Sequence, residues 1–155
     1  HGLDPIQAML RQKETNNNSG MDLAVICLEK AEGRKVKLCY SGAKNSIYVK
    51  QPGGLIKTLK ADRRSVGGNQ NENIAFTNQS LILDEGDYIY LASDGFEDQN
   101  NAKRKRFGSN KLQIILDNLY GLPSDIQKER LEHILDEYMM DTDQRDDILL
   151  LGVQV

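Results

Sequence analysis

Histidine is scarce in this sequence of 155 residues, which contains only His1 and His133. His133 lies in a helical pattern of apolar residues, where we expect it at the surface or at the boundary of the core. A nucleophile activated by histidine, as in Ser–His or Cys–His pairs, is therefore nearly excluded. Any chemistry in this chain must rest on carboxylates, and with them on a metal ion.

Cysteine is equally rare, since the chain has only Cys27 and Cys39. Both lie inside apolar runs that resemble strands, and neither belongs to the paired Cys-x-x-Cys spacing of a metal site. We expect two small core residues in a reducing cytosol, and we favour this over a disulfide or a metal pair.

The sequence also lacks a strong excess of charge and a long apolar run. The formal net charge is -3, with the two signs mixed along the chain, so a nucleic-acid role is disfavoured. No apolar run approaches the ~20 residues that span a membrane, and no signal peptide is visible. A single domain in the cytoplasm is expected. Residues 1–4 are interpreted as a remnant of cloning and not as native sequence.

The order of apolar patterns predicts an α+β fold. A short helix at residues 5–14 and a polar loop precede a series of strand-like runs separated by turn residues, which indicates an antiparallel meander. The predicted strands cover residues 21–28, 35–40, 46–50, 55–59, 74–76, 88–92 and 148–155. Two helices precede the last strand and are expected to cover an antiparallel sheet. The first is capped by Ser109 or Asn110 and has Leu112, Ile115, Leu116 and Leu119 on one face, and the second is opened by Pro123.

Two acidic motifs stand at the ends of predicted strands. Asp94 follows the strand at 88–92, and Asp146 with Asp147 precedes the last strand. If these strands are antiparallel neighbours, the carboxylates converge at one edge of the sheet and require a cation between them. Oxygen ligands of this kind suit Mg²⁺ or Mn²⁺, and Gly95 permits close approach to the metal or its water. The structural alternative is an ordinary Asp-Gly turn and a polar strand boundary.

Five segments, in order, resemble the SpoIIE-type phosphatases, which belong to the PPM class of metal-dependent protein phosphatases. They are Gly20-Met21-Asp22-Leu23-Ala24, Tyr40-Ser41-Gly42-Ala43-Lys44-Asn45, Leu83-Asp84-Glu85-Gly86-Asp87 with Ser93-Asp94-Gly95 and Glu97, Arg106-Phe107-Gly108, and Asp146-Asp147-Ile148. Each motif is weak alone, but five in the family's order are fairly specific. The resemblance covers residues 20–155, after an N-terminal helix and polar loop at residues 1–19.

The resemblance implies an α-β-β-α sandwich and a site with two Mg²⁺ or Mn²⁺ ions. By position, Asp94 and Asp146 match metal ligands, Asp147 is the neighbour of one, and Gly95 lies next to the metals or the substrate. Asp22 either lies next to the site as well or, as the favoured alternative, marks the entry to a strand. A metal-bound hydroxide would attack phosphoserine or phosphothreonine, so no protein nucleophile is needed. The implied partner is a phosphorylated regulatory protein, such as a STAS-type anti-sigma-factor antagonist, under control of an upstream sensor domain.

The chain departs from the family in its first residues. The family's Asp-x-x-Gly-His-Gly stretch, whose Asp bridges both metals, is absent, so we expect the C-terminal part of the domain without its N-terminal strands. Unpaired sheet edges would then favour a homodimer. A catalytically incomplete module that binds a partner protein is the alternative. An unrelated acidic α+β domain is the third reading, and it requires Asp94 and Asp146 to lie far apart.

Overall fold

The computed structural model describes residues 19–68 and 75–155. These residues divide into two compact units, one formed by residues 19–46, 59–68 and 75–82 and the other by residues 47–58 and 83–155. The predicted helix at 5–14 lies outside the described residues. Of the predicted strand at 74–76, only residues 75–76 are described, and they are not part of a strand.

The described residues form strands and helices in an α+β order, as predicted. In chain order these are β1 (Gly20–Met21), β2 (Leu23–Lys30), β3 (Val36–Ala43), β4 (Ile47–Lys50), β5 (Lys57–Leu59), β6 (Val66–Gly67), β7 (Gln79–Leu83), β8 (Tyr88–Ala92), α1 (Asp94–Asp98), α2 (Ser109–Leu119), α3 (Ser124–Met139) and β9 (Leu150–Gln154). Among the described residues, no helix is both long and apolar enough to cross a membrane.

The first unit is built on the hairpin of β2 and β3. The two strands pair antiparallel from Leu23↔Ala43 to Lys30↔Val36, and β7 lies on the other side of β3. A short antiparallel pair, β1 with β6, completes this unit. The strand predicted at 35–40 is confirmed and extends to Ala43, whereas the strand predicted at 21–28 is divided at Asp22 into β1 and β2. The strands β6 and β7 were not predicted.

The second unit carries a four-stranded sheet in the order β5-β4-β8-β9. Its core contains aromatic residues of β4 and β8 together with the apolar faces of the helices: Tyr48, Tyr88, Tyr90, Ala92, Phe96, Phe107, Leu112, Leu116, Leu119 and Leu131. The predicted inward face of α2 is thus confirmed, because residues spaced three and four apart share one side of a helix.

Helix boundaries differ from the prediction by one or two residues. Ser109 is the first residue of α2, and Gly108, with a φ of 83°, takes the N-cap position that was assigned to Ser109 or Asn110. Pro123 precedes α3 as its N-cap, and α3 ends at Met139. The last strand begins at Leu150 and not at Ile148, because the residues before it are engaged with α1.

The prediction of two core cysteines is wrong. Cys27 is exposed and Cys39 is partly exposed, and both are free thiols. Leu38 and Tyr40 are buried, so their neighbour Cys39 must point to the opposite face of β3, since side chains alternate along a strand. The alternation of Lys37 with Leu38 already placed Cys39 on the wetter face. The expected surface position of His133 is confirmed.

A buried ion pair stands between the sheet and α2 in the second unit. The ammonium of Lys50, which is 7% exposed, lies 2.8 Å from Oδ1 of Asp117 and also donates to the carbonyl of Gly54. The same Oδ1 accepts the amide of Ile56 over 3.0 Å. These bonds lower the pKa of Asp117, with the Lys50 hydrogen bond as the largest cause.

Candidate functional site

Antiparallel pairing of β8 with β9 brings the two acidic motifs to the same edge of the sheet. The register runs from Tyr88↔Gln154 to Ala92↔Leu150, so the end of β8 lies beside the start of β9. This confirms the strand adjacency on which the sequence prediction depends. Asp94 leaves one strand, and Asp146 and Asp147 approach the other, at the same edge of the sheet.

Ser93 joins the two motifs through three hydrogen bonds. Its amide donates to the carbonyl of Leu149 over 2.8 Å, and its hydroxyl donates to the carbonyl of Asp147 over 3.0 Å. The same hydroxyl oxygen accepts the amide of Leu149 over 3.0 Å. The residue before Asp94 is thereby tied to the residues on both sides of Ile148.

Gly95 allows the two segments to touch. A Cβ atom at this position would lie 2.4 Å from the carbonyl oxygen of Asp147 and 3.0 Å from its carbonyl carbon. Real Cβ atoms essentially never come within 3.0 Å of a heavy atom in a non-neighbouring residue, so any side chain would push α1 away from the Asp146–Asp147 segment. Close approach was predicted at Gly95, but the group it approaches is the backbone of the second motif.

Gln99, which sequence reasoning missed, joins the motifs at the far end of α1. Its side chain is fully buried, with 0% exposure. Its Nε2 donates to the carbonyl of Asp143 over 3.0 Å, and its Oε1 accepts the amide of Arg145 over 3.1 Å. The five-residue α1 is therefore held to the segment that carries Asp146 at both of its ends. No spacing in the sequence marks a lone glutamine for this role.

The side chain of Glu97, a residue of α1, is hydrogen-bonded to an aromatic residue of the sheet. The hydroxyl of Tyr48, a residue only 3% exposed, donates to Oε1 of Glu97. Burial, followed by this hydrogen bond to a carboxylate, raises the pKa of Tyr48. The carbonyl of Glu97 in turn accepts the amide of Gly108, which links α1 to the start of α2.

The acidic side chains themselves reach solvent. Asp94, Asp146 and Asp147 are all exposed, and Oδ1 of Asp146 accepts the amide of Asp147 over 2.8 Å. Their oxygens are of the kind that Mg²⁺ and Mn²⁺ bind. Within residues 19–68 and 75–155, however, no three His, Cys, Asp or Glu side chains are grouped as in a complete metal site. The carboxylate oxygens are the type of ligand that such an ion binds, but they are fewer than a complete site needs.

Asp22 belongs to the first unit, where its contacts are local. The hydroxyl of Ser65 donates to Oδ1 of Asp22, and the ammonium of Lys44 lies 3.8 Å from the same oxygen. Gly20 faces Ser65 so closely that a Cβ atom would lie 2.5 Å from the Cβ of Ser65. These contacts join the start of β2 to β6 and give the Gly-Met-Asp motif a structural role.

Two further motifs are explained by buried polar side chains. In the first unit, the hydroxyl of Tyr40 donates to the carbonyl of Asn45 over 2.8 Å and fills the space that a side chain at Gly42 would need. In the second, Oδ2 of Asp87 accepts the amide of Asp84 and the side-chain amide of Gln51, which fixes the turn before β8. Both motifs hold turns in place.

The comparisons with known proteins identify a family and a fold. The family model of Stage II sporulation protein E (SpoIIE) matches residues 6–155. No curated protein sequence matches the chain significantly.

Solved structures with a similar fold include three bacterial proteins. The SiaA-PP2C domain of Pseudomonas aeruginosa is 32% identical, with a TM-score of 0.69 over 77% of this chain and 46% of that one. The phosphatase domain of the cell-fate determinant SpoIIE from Bacillus subtilis is 17% identical, with a TM-score of 0.58 over 98% and 64%. The RsbU and RsbW domains of a Mycobacterium tuberculosis protein are 18% identical, with a TM-score of 0.61 over 99% and 42%. The chain thus spans less than two thirds of each of these structures.

Proposed function

The chain belongs to the family of Stage II sporulation protein E (SpoIIE), and we propose that it forms part of a phosphatase domain that removes phosphate from phosphoserine or phosphothreonine of a partner protein. The observation that carries this proposal is the set of hydrogen bonds from Ser93 to Asp147 and Leu149, which keeps both acidic motifs at one edge of the sheet. Phosphoryl transfer by a metal centre needs acidic ligands at fixed spacing and no protein nucleophile. Scarce histidine is consistent with that chemistry.

In this proposal Asp94 and Asp146 each give a carboxylate to a pair of Mg²⁺ or Mn²⁺ ions, with Asp147 beside them. When bound, such ions supply an activated water and neutralise the charge of the phosphate oxygens. The chain's own residues fix the ligands: Ser93 and Gln99 hold α1 against the second motif, and Gly95 leaves no side chain between them. One related structure, the B. subtilis SpoIIE phosphatase domain, was also solved after presoaking with Mn.

The partner that we propose is a phosphorylated regulatory protein with a small STAS-type fold, in the cytoplasm. Support comes from the structural likeness to a protein that carries RsbU and RsbW domains together. The likeness rests on 18% identity and bears on the fold. The substrate therefore stands as part of the proposal.

A second function is favoured by one observation. Within residues 19–68 and 75–155, no group of three potential ligands is assembled. Two carboxylates leave most of an octahedral Mg²⁺ or Mn²⁺ sphere to water, so the 155-residue chain by itself is expected to show little turnover. A catalytically incomplete module would keep the fold and bind the partner protein without hydrolysing its phosphate.

Phosphate release from a phosphoserine protein separates the two functions. The full-length gene product is assayed with Mn²⁺, with and without a chelator, and is compared with Asp94→Asn, Asp146→Asn and the control Asp136→Asn, an exposed residue of α3. We expect chelation to abolish activity. The site variants should lose roughly 100-fold or more, because even residues that only orient metal ligands contribute ~10–100-fold. Inactivity of the full-length product together with retained partner binding would favour the regulatory module.

A further inference from the structure

Cys27 and Cys39 face each other across the β2–β3 hairpin. They are direct partners in the antiparallel register, between Ile26↔Tyr40 and Leu28↔Leu38. Both are free thiols, one exposed and one partly exposed. They are also the only cysteines of the chain. Residues directly opposite in an antiparallel pair project to the same face of the sheet, so the two thiols are neighbours.

The backbone separation at this pair suits a disulfide. The amide of Ala31 donates to the carbonyl of Lys35 over 3.0 Å, which makes Ala31 and Lys35 a hydrogen-bonded pair of the hairpin. Hydrogen-bonded and non-hydrogen-bonded pairs alternate along an antiparallel ladder, so Cys27 and Cys39, four residues further along each strand, are again a hydrogen-bonded pair. Such pairs have Cα atoms about 5.5 Å apart, inside the range of about 4.4–6.8 Å that disulfides span, and their Cβ atoms, about 5 Å apart, have to move to about 4.5 Å or less as the bond forms.

Charged residues accompany the thiols on the same face. Lys37 is the partner of Glu29 in the register, and its ammonium lies 3.4 Å from Oε2 of Glu29. The pKa of Lys37 is raised by this hydrogen bond and then by the neighbouring Cys39. A cation thus lies near one sulfur atom, and the exposure of Cys27 gives a dissolved oxidant access to the other. Cysteines that solvent reaches are open to oxidation, unlike cysteines buried in a core.

We propose that Cys27 and Cys39 are a redox site, which a peroxide converts to a cross-strand disulfide and which a thiol reductant restores. One thiolate attacks the peroxide, the O–O bond breaks, and a sulfenic acid and water (or an alcohol) are formed. The second thiol attacks the sulfenic sulfur, the S–S bond forms, and a second water leaves. The two sulfurs together lose two electrons and two protons, and the peroxide takes them up. This site is independent of the phosphatase proposal, since none of its residues belongs to the acidic motifs.

The disulfide would lock the hairpin of the first unit. It would close a short ring through the turn at Gly33 and restrict the unfolded chain, which raises stability. β2 lies at one side of its sheet, with β3 as its neighbour, so this hairpin depends on its own cross-strand contacts. Oxidation is therefore expected to suppress opening of β2 from β3.

Oxidation of the dilute 155-residue chain with hydrogen peroxide tests the proposal. Free thiols are counted with a chromogenic disulfide reagent, and the intact mass is measured before and after treatment with dithiothreitol. We expect both thiols to disappear, the mass to fall by two hydrogen atoms, and the chain to remain at its original size on a sizing column. Trypsin, which cuts after Lys30 and Lys35, should then release a Cys27 peptide linked to a Cys39 peptide. Dithiothreitol should reverse every change.

The variants Cys27→Ser and Cys39→Ser are the matched controls. Each retains one thiol and should gain neither the internal link nor thermal stability, whereas the oxidised parent should melt roughly 5 °C higher. Persistence of both free thiols, sulfinic acid as the main product, or disulfides only between chains would overturn the proposal. None of these readouts depends on phosphatase activity.

Discussion

Ser93 and Leu149 are bonded in both directions: the amide of Ser93 donates to the carbonyl of Leu149 over 2.8 Å, and the amide of Leu149 donates to the hydroxyl of Ser93 over 3.0 Å. Ser93 precedes Asp94 and Leu149 follows the Asp146–Asp147 pair. The exchange therefore extends the β8–β9 contact beyond the last paired residues, Ala92 and Leu150. Its removal should affect stability and metal binding together.

Ser93→Ala removes the hydroxyl and leaves the amide of Leu149 without its acceptor. We expect a loss of about 1–2 kcal/mol in the free energy of unfolding, since two hydrogen bonds disappear and one donor is left unpaired. In the proposed metal site, Mn²⁺ affinity, measured by calorimetry, should fall roughly tenfold because the segments of Asp94 and Asp146 are less firmly positioned without the two hydroxyl bonds. Ser80→Ala, at an exposed position of β7, is the control and should change neither quantity. Unchanged Mn²⁺ affinity in Ser93→Ala would show that this serine does not help to position the proposed metal ligands.

Gly95→Ala should be clearly destabilising. The new Cβ would meet the backbone carbonyl of Asp147 at 2.4 Å, which only movement of α1 relieves. Overpacking of this kind costs about 1–3 kcal/mol. Gly54→Ala is the matched control, because the nearest atom to its Cβ would be 3.9 Å away, in ordinary contact. Chemical denaturation of both variants checks the difference, and equal stability of the two would contradict the close approach.

Asp117→Asn leaves the ammonium of Lys50 buried without a counter-charge. Removal of one partner from a buried pair typically destabilises by about 3–5 kcal/mol, and we expect the lower end here because Asp117 is partly exposed. Glu132→Gln removes one partner of the exposed Lys128–Glu132 pair and should cost less than about 0.5 kcal/mol. Urea denaturation of the two variants is the measurement. A similar small effect at both sites would mean that water reaches Lys50.

The Lys50–Asp117 pair also predicts that the chain loses stability in acid. The pKa of Asp117 is lower in the folded chain than the usual value of about 3.9, so its contribution to stability is present above that pH and is lost as the pH falls through the folded pKa. The parent chain should therefore lose more stability than Asp117→Asn between about pH 5 and pH 2. Parallel stability curves for the two proteins over this range would exclude the effect.

Tyr48→Phe should reduce stability and also weaken the alkaline transition. Burial and the bond to Glu97 raise the pKa of Tyr48, so its contribution is present in full below about pH 10, the usual pKa of tyrosine, and is lost as the pH rises above it. The variant removes one hydrogen bond to a carboxylate, a loss of about 1.5–3 kcal/mol near neutral pH. Its stability should then fall less steeply than that of the parent between pH 9 and pH 11. Chemical denaturation at each pH measures the stability, and the absorbance of tyrosinate follows the ionisation. A steeper fall would point to another group.

Strong periodicity made the second unit predictable. β8 was predicted at its observed bounds, and the apolar spacing of Leu112, Leu116 and Leu119 identified the buried face of α2. The convergence of the two acidic motifs was predicted on the condition that their strands are antiparallel neighbours, and β8 and β9 are paired in this way. In each case the signal lies in consecutive residues, where the geometry of a strand or helix fixes which side chains share a face.

Elements held by distant contacts could not be predicted. β6 has two residues and β7 begins with Gln79 and Ser80, so neither shows an apolar alternation. Asp22 meets Ser65 across 43 positions of sequence, and Gln99 meets Asp143 across 44. The outward position of Cys39 was available from its alternation with Leu38 and Tyr40, but the general preference of cysteine for the core was given more weight.

The segment from Asp143 to Leu149 has no regular secondary structure of its own, and its hydrogen bonds to Ser93 and Gln99 hold it along α1. The rigidity of this segment therefore depends on α1: if α1 unfolds locally, Asp146 is released in the same opening. Both acidic motifs should then become mobile in one cooperative step and not independently. Hydrogen exchange at the amides of Arg145 and Leu149, which Gln99 and Ser93 accept, would report how firmly Asp146 is held in position.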